Sequence, residues 1–298
     1  MLRVLTAVAC VTAASLHAEE LTNWMVDMSS HNSKIALTRD MTFQDNNTAI
    51  RLIIHRVTIG SYKPPRQKGD SQFARRAREA SAADLLFGAY HAAYPSSDAV
   101  TQANGFLTAV SNQCVAGQKV ILALDWEHVC VEWSDPSRKT KCTREGLVPP
   151  DFVLAFASRV KDVTSKQPLI YTSSRTLRQF GDFFRARKDV AMQLSALPLW
   201  IARYKSRQGH SFPTEAEIFP WEDWVFWQFA EGKGVGPTRR VSLRLQNLPI
   251  DTNYYNGSRS EIEPFFTANA WKCGGPAGAG AEVRNVSAVG EGATEKRK

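Results

Sequence analysis

Long apolar runs are the first feature that this 298-residue sequence lacks. No segment reaches the roughly 18 apolar residues that a membrane-spanning helix needs. The short apolar run VLTAVACVTAA follows Arg3, and small residues then stand before LHA and EE, which is typical of a secretory signal. We therefore predict a signal peptide at residues 1–18 and an exported protein, periplasmic or extracellular. A lipid anchor at Cys10 is the alternative, which the short stretch before that cysteine disfavours.

Cys-x-x-Cys pairs are also absent, which disfavours a zinc site. Beyond the predicted signal the chain keeps Cys114, Cys130, Cys142 and Cys273. Four cysteines in an exported protein indicate two disulfides, with three possible connectivities. The spacing makes Cys130 and Cys142 the natural local pair, and four free thiols are the alternative.

No glycine-rich turn leads into a helix, as a phosphate-binding turn would: GKGVGP at 232–237 is followed by no helical pattern.

The net charge of +8 favours an anionic partner such as a cell-wall polymer, nucleic acid or acidic lipid, although a merely soluble basic surface also explains it. Lysine and arginine form no long runs, and export argues against nucleic acid. Residues 274–298 are small and polar without aromatics, so we expect a disordered tail.

Short apolar runs that end in polar residues are what the sequence has in place of long ones, as in strands covered on both faces. They predict strands at 24–29, 51–58, 86–93, 119–127, 168–173, 197–204, 224–230 and 248–254. Helical patterns separate the first six, at 70–84, 97–112, 149–165 and 174–188, and loops are expected thereafter. The order predicts an irregular TIM-like (β/α) barrel over residues 19–273, with eight strands and about five helices. A doubly wound open sheet is the alternative.

Polar residues at the predicted strand ends should meet at one mouth of the barrel. They are Asp27, Arg56, Tyr90 with His91, Asp125 with Glu127, Tyr171, Arg203 with Tyr204, Gln228 and Asp251. Four carboxylates ringed by tyrosine and tryptophan suit carbohydrate, because aromatic faces cover sugar rings and polar groups fix hydroxyls. We predict that these residues bind and cleave a glycan.

The stretch ILALDWEH, residues 121–128, carries the central pair. Asp125 and Glu127 are two apart in a strand, so they share a face with Cα atoms roughly 6.5 Å apart. Carboxyls that close cannot both ionise freely, so one pKa should rise. A carboxylic acid still protonated near neutral pH can protonate a glycosidic oxygen. Pairing with arginines or capping a turn is the alternative role.

Eight segments, in order, resemble the glycoside hydrolase family 25 lysozymes, the Chalaropsis-type muramidases. They are VDMSSHN (26–32), LIIHRVTIG (52–60), FGAYHAAYP (87–95), ILALDWE (121–127), PLIYTS (168–173), LPLWIARY (197–204), WVFWQF (224–229) and IDTNYYNG (250–257). The resemblance spans about residues 22–257. It implies a (β/α) barrel that hydrolyses the β-1,4 bond between N-acetylmuramic acid and N-acetylglucosamine in peptidoglycan. We also expect a monomer that uses no cofactor or metal.

The resemblance also implies roles for individual residues. Glu127 matches the catalytic acid and Asp125 its partner, while Asp27 and Asp251 match the other active-site acids. Tyr90, Tyr171 and Arg203 fall in motifs that line the family's groove, and the strand ends add Arg56, Tyr204 and Gln228 as substrate contacts. Two features depart from the family pattern: Ile59, where glutamate is frequent, and the insert at 128–146.

Two mechanisms fit these acids. Glu127 protonates the leaving oxygen in both. An acid across the groove activates water in the first, giving inversion, whereas the substrate's 2-acetamido group attacks the anomeric carbon in the second, with Asp125 holding the amide, giving retention. The position of Asp125 beside Glu127 favours the second.

Two rival functions remain open from the sequence. His91, Asp125, Glu127 and His128 could hold a metal, although ordinary hydrogen-bonding histidines at the barrel mouth are the simpler interpretation. A sugar-binding barrel without activity is the non-enzyme rival. Retention of all four acids speaks against it.

Overall fold

The computed structural model describes residues 23–44, 47–61, 69–135, 141–204, 212–232, 244–258 and 260–274. The predicted signal peptide and residues 275–298 of the predicted tail lie outside the described residues. None of the helices within these ranges is both long and apolar enough to cross a membrane.

Thirteen strands form in these ranges, and eight of them match the predicted strands. They are β1 (Asn23–Met28), β2 (Leu52–Ile59), β3 (Leu86–Ala92), β4 (Lys119–Trp126), β5 (Val129–Trp133), β6 (Cys142–Gly146), β7 (Leu169–Ser173), β8 (Leu199–Ala202), β9 (Phe226–Ala230), β10 (Arg244–Leu245), β11 (Leu248–Pro249), β12 (Asp251–Tyr255) and β13 (Trp271–Lys272).

The main sheet closes into the predicted eight-stranded barrel. Its order is β4-β3-β2-β1-β12-β9-β8-β7, and β7 pairs back onto β4. One strand departs from the parallel arrangement, because β12 runs antiparallel to both β1 and β9. Antiparallel neighbours need no crossover helix. The described residues between β9 and β12 accordingly hold only the small hairpin of β10 and β11. Outside the barrel, β5 pairs with β6, and β13 pairs with Lys119 and Val120 at the start of β4.

Eight α-helices accompany the strands within the described ranges, more than the five expected. They are α1 (Phe73–Ala82), α2 (Ala99–Gln113), α3 (Pro150–Thr164), α4 (Ser174–Gln179), α5 (Gly181–Ala186), α6 (Lys188–Ser195), α7 (Glu215–Ile218) and α8 (Ile262–Asn269). The single helix predicted at 174–188 is divided, with a break before Gly181, a residue that disfavours helix interiors.

The last third of the chain is also less irregular than expected, since α7 and α8 lie there. Helix α8 carries Pro264, which obscures its helical pattern but is tolerated in a first turn, where no intrahelical bond is lost. Its residues Ile262 and Phe266, one helical turn apart, pack into the apolar cluster inside the barrel. This packing closes one end of the barrel and leaves the other end for the site.

Side chains point alternately into and out of the barrel along each strand, which produces two separate apolar layers. Residues such as Met25, Ile54 and Ala123 fill the barrel interior, while a larger cluster lies between the strands and the surrounding helices. The interior is tightly filled: a Cβ on Gly88 would come within 2.7 Å of Ile121 Cγ2. The inward positions nearest the carboxyl ends of the strands are polar, and they form the site.

Candidate active site

The open end of the barrel holds a cavity of about 490 Å³. Eight of the ten predicted site residues line it, namely Asp27, Tyr90, Asp125, Glu127, Tyr171, Tyr204, Gln228 and Asp251. The remaining lining residues, not predicted from the sequence, are Ser29, His31, Asn32, Trp200, Glu231 and Gly232. The four acids therefore do share one cavity.

Asp125 and Glu127 reach the cavity because the residue between them is anchored on the other side of the strand. Trp126 is fully buried in the outer apolar layer. Its indole Nε1 donates a hydrogen bond of 2.9 Å to the Val148 carbonyl, and its ring stacks on Phe180 at 5.4 Å. With the indole fixed outward, the period-two alternation turns both neighbouring carboxyls inward.

The two carboxyls also affect one another electrically. Burial raises the pKa of Asp125 well above its usual value, and the charges of Glu127 and then Asp27 raise it further. The Arg56 guanidinium opposes this by lowering the Asp125 pKa. Groups coupled in this way lose their protons as a pair. The pair is therefore suited to hold a proton under conditions where isolated carboxyls would have lost theirs.

Asp27 is the most enclosed of the four acids, with 7% of its surface exposed. Its Oδ2 accepts hydrogen bonds from Gln228 Nε2 at 2.8 Å and from Asn253 Nδ2 at 2.9 Å. Burial raises the pKa of Asp27 well above normal and the Asp251 charge raises it further, although the two amide hydrogen bonds act in the opposite direction. Asp27 therefore tends to keep its proton.

Asp251 is held from the loop that follows β9. The backbone N–H of Gly232 donates to its Oδ1. A Cβ at position 232 would lie 2.9 Å from backbone atoms of Ile250. A larger residue would push the loop away, so glycine permits the contact that orients this acid.

Aromatic and amide side chains support the acids from below. Tyr171 donates its hydroxyl to Gln228 Oε1 at 2.8 Å, and Trp200 Nε1 donates to Asn253 Oδ1 at 2.7 Å. The rings of Tyr171 and Trp200 meet edge to face at 4.6 Å. Burial, and after it the nearby carboxylates, raises the pKa of both Tyr90 and Tyr171, so their hydroxyls remain neutral. The cavity thus offers aromatic surface beside hydroxyl groups.

The two predicted arginines lie outside this cavity. Arg56 Nη2 binds Asp70 Oδ2 at 3.0 Å and Ser30 Oγ at 3.1 Å. It therefore supports the short 3-10 helix Ser30–Asn32, which carries His31 and Asn32 to the cavity. Arg203 pairs with Glu217 at 2.8 Å and lines a neighbouring cavity. The sequence placed both arginines at the mouth but could not show which way their long side chains turn.

The neighbouring cavity has a volume of about 520 Å³. Its lining is Glu127, His128, Glu145, Ser173, Ser174, Arg175, Arg178, Ala202, Arg203, Tyr204 and Glu217. Two of these residues, Glu127 and Tyr204, also line the first cavity. Glu127 therefore stands where the two cavities adjoin.

The histidines that could have suggested a metal are engaged elsewhere. His91 is fully buried on the helix side of β3, stacked on Phe156, and not at the mouth as expected. Its ring nitrogens contact Thr58 Oγ1 at 2.8 Å and Gln102 Oε1 at 2.9 Å. His128 Nε2 lies 2.7 Å from Gln179 Oε1. In the described part of the chain no group of three or more histidines, cysteines or acids is placed to hold a metal ion.

Four carboxyl side chains gathered at the open end of an α/β barrel are suited to the cleavage of a glycosidic bond. The chain belongs to the glycosyl hydrolases family 25, whose family model matches residues 26–236. Among curated proteins it is similar to uncharacterized protein YegX of Escherichia coli strain K12, with 23% identity over 240 residues, covering 80% of this chain and 72% of that protein.

Solved structures show the same fold. A bacterial lysozyme from Streptomyces coelicolor has a TM-score of 0.55 at 18% identity, covering 84% of this chain and 99% of that one. A muramidase from Acremonium alcalophilum has a TM-score of 0.53 at 20% identity, covering 82% and 98%. The Clostridium perfringens spore cortex lytic enzyme SleM has a TM-score of 0.50 at 21% identity, covering 81% and 69%.

Proposed function

We propose that this glycoside hydrolase is an exported muramidase that hydrolyses the β-1,4 bond between N-acetylmuramic acid and N-acetylglucosamine in peptidoglycan. The observation that carries the proposal is the placement of Asp125 and Glu127 together in the barrel-mouth cavity. Family membership supports it, as do the names lysozyme and muramidase borne by proteins of the same fold.

Glu127 is the general acid in this proposal. The position of Glu127 between the two cavities lets one sugar occupy the acid-lined cavity while the leaving sugar extends into the other. The glycosidic oxygen between the two sugars then lies beside the Glu127 carboxyl, which gives it a proton as the bond to the anomeric carbon breaks.

Asp125 assists by holding the substrate's 2-acetamido group. The carbonyl oxygen of that group attacks the anomeric carbon, and the Asp125 carboxylate stabilises the positive charge that develops on the amide. Water then attacks the same carbon, Glu127 takes its proton, and the acetamido group is released with overall retention. Burial and the Glu127 charge raise the pKa of Asp125, and Arg56 acts against them, which favours the arrangement with the charge on Asp125 and the proton on Glu127.

Asp27 and Asp251 orient the sugar opposite this pair. Strand β12, which carries Asp251, lies four places from β4 around the barrel in either direction. Inversion would need water activated from that far side. Asp27 is unsuited to this step, because burial favours its protonated form, which cannot take a proton from water, and its Oδ2 already accepts two amide hydrogen bonds.

Substrate contacts come from the tyrosines, Trp200 and Gln228 that line the acid cavity, and from Tyr204, which borders both cavities. Arg203 contributes from the neighbouring cavity. The protein acts as a monomer and uses neither cofactor nor metal in this proposal. Export is supported by two disulfides, Cys114–Cys273 and Cys130–Cys142, a type of bond that persists in oxidising compartments.

Digestion of purified peptidoglycan tests the bond that is cleaved. The new reducing ends are reduced with borohydride and identified by mass spectrometry. We expect the alditol of N-acetylmuramic acid, whereas the alditol of N-acetylglucosamine would overturn the assignment. Tight binding of peptidoglycan without released reducing ends would favour the non-catalytic sugar-binding barrel.

A further inference from the structure

The 3-10 helix Ser30–Asn32 follows β1 closely and forms one wall of the acid-lined cavity. His31 and Asn32 line that cavity, as does Ser29 before them. Asn32 Oδ1 accepts a hydrogen bond of 3.0 Å from the Ser29 N–H, which leaves Asn32 Nδ2 as a donor. His31 is exposed, and of the described residues that line the cavity it alone can carry a positive charge. The helix therefore adds two nitrogen donors to a cavity rich in carboxyl groups, and the hydroxyl and acetamido oxygens of a sugar can accept from them.

Two charged side chains hold the two ends of this 3-10 helix, and both belong to residues 70–76. At the first residue, the Ser30 N–H donates to Asp70 Oδ2 at 2.9 Å. At the last residue, the Asn32 carbonyl accepts from Arg76 Nη2 at 2.8 Å. Arg76 Nη1 also donates to Glu79 Oε2 at 2.6 Å, within α1. The 3-10 helix is thus fixed at both ends to α1 and to the residues just before it.

Arg76 lies in the first turn of α1 and is fully buried. Arginine is rarely buried to this extent, and exchange of a buried ion pair for apolar residues is often neutral or stabilising. Fold stability alone therefore does not explain a guanidinium at this position. A guanidinium is rigid and donates in fixed directions, here to Glu79 and to the Asn32 carbonyl at once. It can set the distance between α1 and the cavity wall, which an apolar side chain cannot do.

We propose that Arg76 is a positioning residue of the active site. Through the Asn32 carbonyl it holds His31 and Asn32 where they donate hydrogen bonds to the sugar in the acid-lined cavity. Arg76 does not line that cavity, so it acts only through the 3-10 helix. The inference rests on the proposed muramidase function, since it assigns a role in binding the same sugar. Loss of the Arg76 fork should therefore weaken substrate binding only while His31 and Asn32 are present.

The first test is Arg76→Lys, with soluble, uncrosslinked peptidoglycan strands as substrate. Lysine keeps the charge, but its single ammonium cannot hold Glu79 and the Asn32 carbonyl in the same fixed geometry. KM should rise about three- to tenfold, the range for loss of one hydrogen bond. Because the reacting carboxyls come from the end of β4, kcat should change less. Equal KM values in variant and wild type would overturn the proposal.

Arg76→Met is the second variant, for use where a buried lysine prevents folding, and the same rise in KM is expected. Phe73→Leu is the control for a loosened α1. Phe73 is fully buried on the same helix and packs against His55 and Phe87. At a temperature below the Tm of every variant, Phe73→Leu should keep the wild-type KM. A rise in KM equal to that of the Arg76 variant would mean that a less stable α1 is the cause, and would overturn the positioning role.

A double-mutant cycle tests the route of the effect. The combined variant His31→Ala with Asn32→Ala should itself raise KM, because it removes both donors. Adding Arg76→Lys to it should then raise KM little further, since residues that act through one another are not additive. Effects on KM that multiply fully, or an unchanged KM in the combined variant, would overturn the proposal. A wild-type protein that releases no reducing ends would refute the proposed function instead. The same cycle is then measured as Kd for the strands, with the same pattern expected and the same outcomes counting against Arg76.

Discussion

Asp27 and Asp251 are cross-strand partners, directly opposite each other at the barrel mouth, where β1 ends and the antiparallel β12 begins. Like charges opposite one another in a sheet are destabilising. The structure limits this cost by keeping Asp27 buried with a raised pKa, so that its neutral form is favoured. The pair therefore lowers the stability of the fold at higher pH, and in return it places two acids beside the substrate.

We predict that Asp27→Asn stabilises the protein at pH 8 but scarcely at pH 4. A folded-state pKa above the unfolded value gives stability that is complete below the unfolded pKa and is lost as pH rises through the folded one. Asparagine keeps an acceptor for Gln228 and Asn253 but cannot ionise. A gain of about 1 kcal/mol corresponds to a rise in Tm of about 2–4 °C in a domain of this size.

Thermal unfolding at the two pH values checks this prediction. Asp40→Asn, at an exposed turn position, is the control for loss of one carboxylate. Similar Tm changes in the two variants, or a gain at pH 4 equal to that at pH 8, would contradict the raised pKa of Asp27, which burial causes first and the Asp251 charge second. The same Asp27→Asn variant should turn over peptidoglycan more slowly, because it loses one of the sugar-orienting acids.

Asp125→Asn should lower turnover and move the alkaline limb of the pH–rate profile to lower pH. The Glu127 charge raises the pKa of Asp125, and this coupling acts in both directions. Without the Asp125 charge, Glu127 loses its proton more readily, and the protonated acid is depleted at a lower pH. An alkaline limb that stays in place would show that the two carboxyls are not coupled.

Loss of one disulfide should mainly lower the thermal stability, and loss of the other should mainly weaken substrate binding. Cys114–Cys273 bridges 159 positions between the end of α2 and the residue after β13, whereas Cys130–Cys142 closes a hairpin of 12 positions. In the chain-entropy model the longer loop gives the larger stabilisation, about 5 kcal/mol against about 3 kcal/mol. Replacing Cys114 and Cys273 by serine should therefore lower Tm more.

Replacing Cys130 and Cys142 by serine should instead mainly raise KM on polymeric peptidoglycan. The hairpin brings Glu145 to the neighbouring cavity beside Glu127, where it pairs with Arg175. Trp133, on the same hairpin, lines neither cavity. Unchanged kinetics in this double variant would show that the hairpin does not contribute to substrate binding.

Proton NMR of the first-formed product checks the stereochemistry. Attack by the acetamido group followed by water gives the β-anomer at the new reducing end, before mutarotation. The α-anomer would rule out substrate assistance and would direct attention to Asp251, on the strand across the barrel from β4.

The strands and most of the site could be predicted because two simple rules act together. Apolar runs mark strands covered on both faces, and the polar residues that end them must gather at one mouth. Asp27, Tyr90, Asp125, Tyr171 and Gln228 obey both rules and line the cavity.

Other features of the site and fold depend on contacts between distant segments, which no local sequence pattern encodes. Arg56 turns toward Asp70, at a point where the pairing of β2 with β3 shifts register. The antiparallel direction of β12 follows from how the chain returns after β9. The neighbouring cavity combines residues that follow β4 with others from β6, α4 and α7, so only the folded chain reveals it.

The most direct test of the account is the initial rate at which Glu127→Gln releases reducing ends from purified peptidoglycan. Glutamine is nearly isosteric but carries no acidic proton, so we predict a rate about 10²–10⁴-fold below wild type, with peptidoglycan binding retained. Glu263→Gln, at an exposed residue of α8 paired with Arg51, is the control and should match wild type. A Glu127→Gln rate above about a tenth of wild type would contradict the assignment of Glu127 as the general acid.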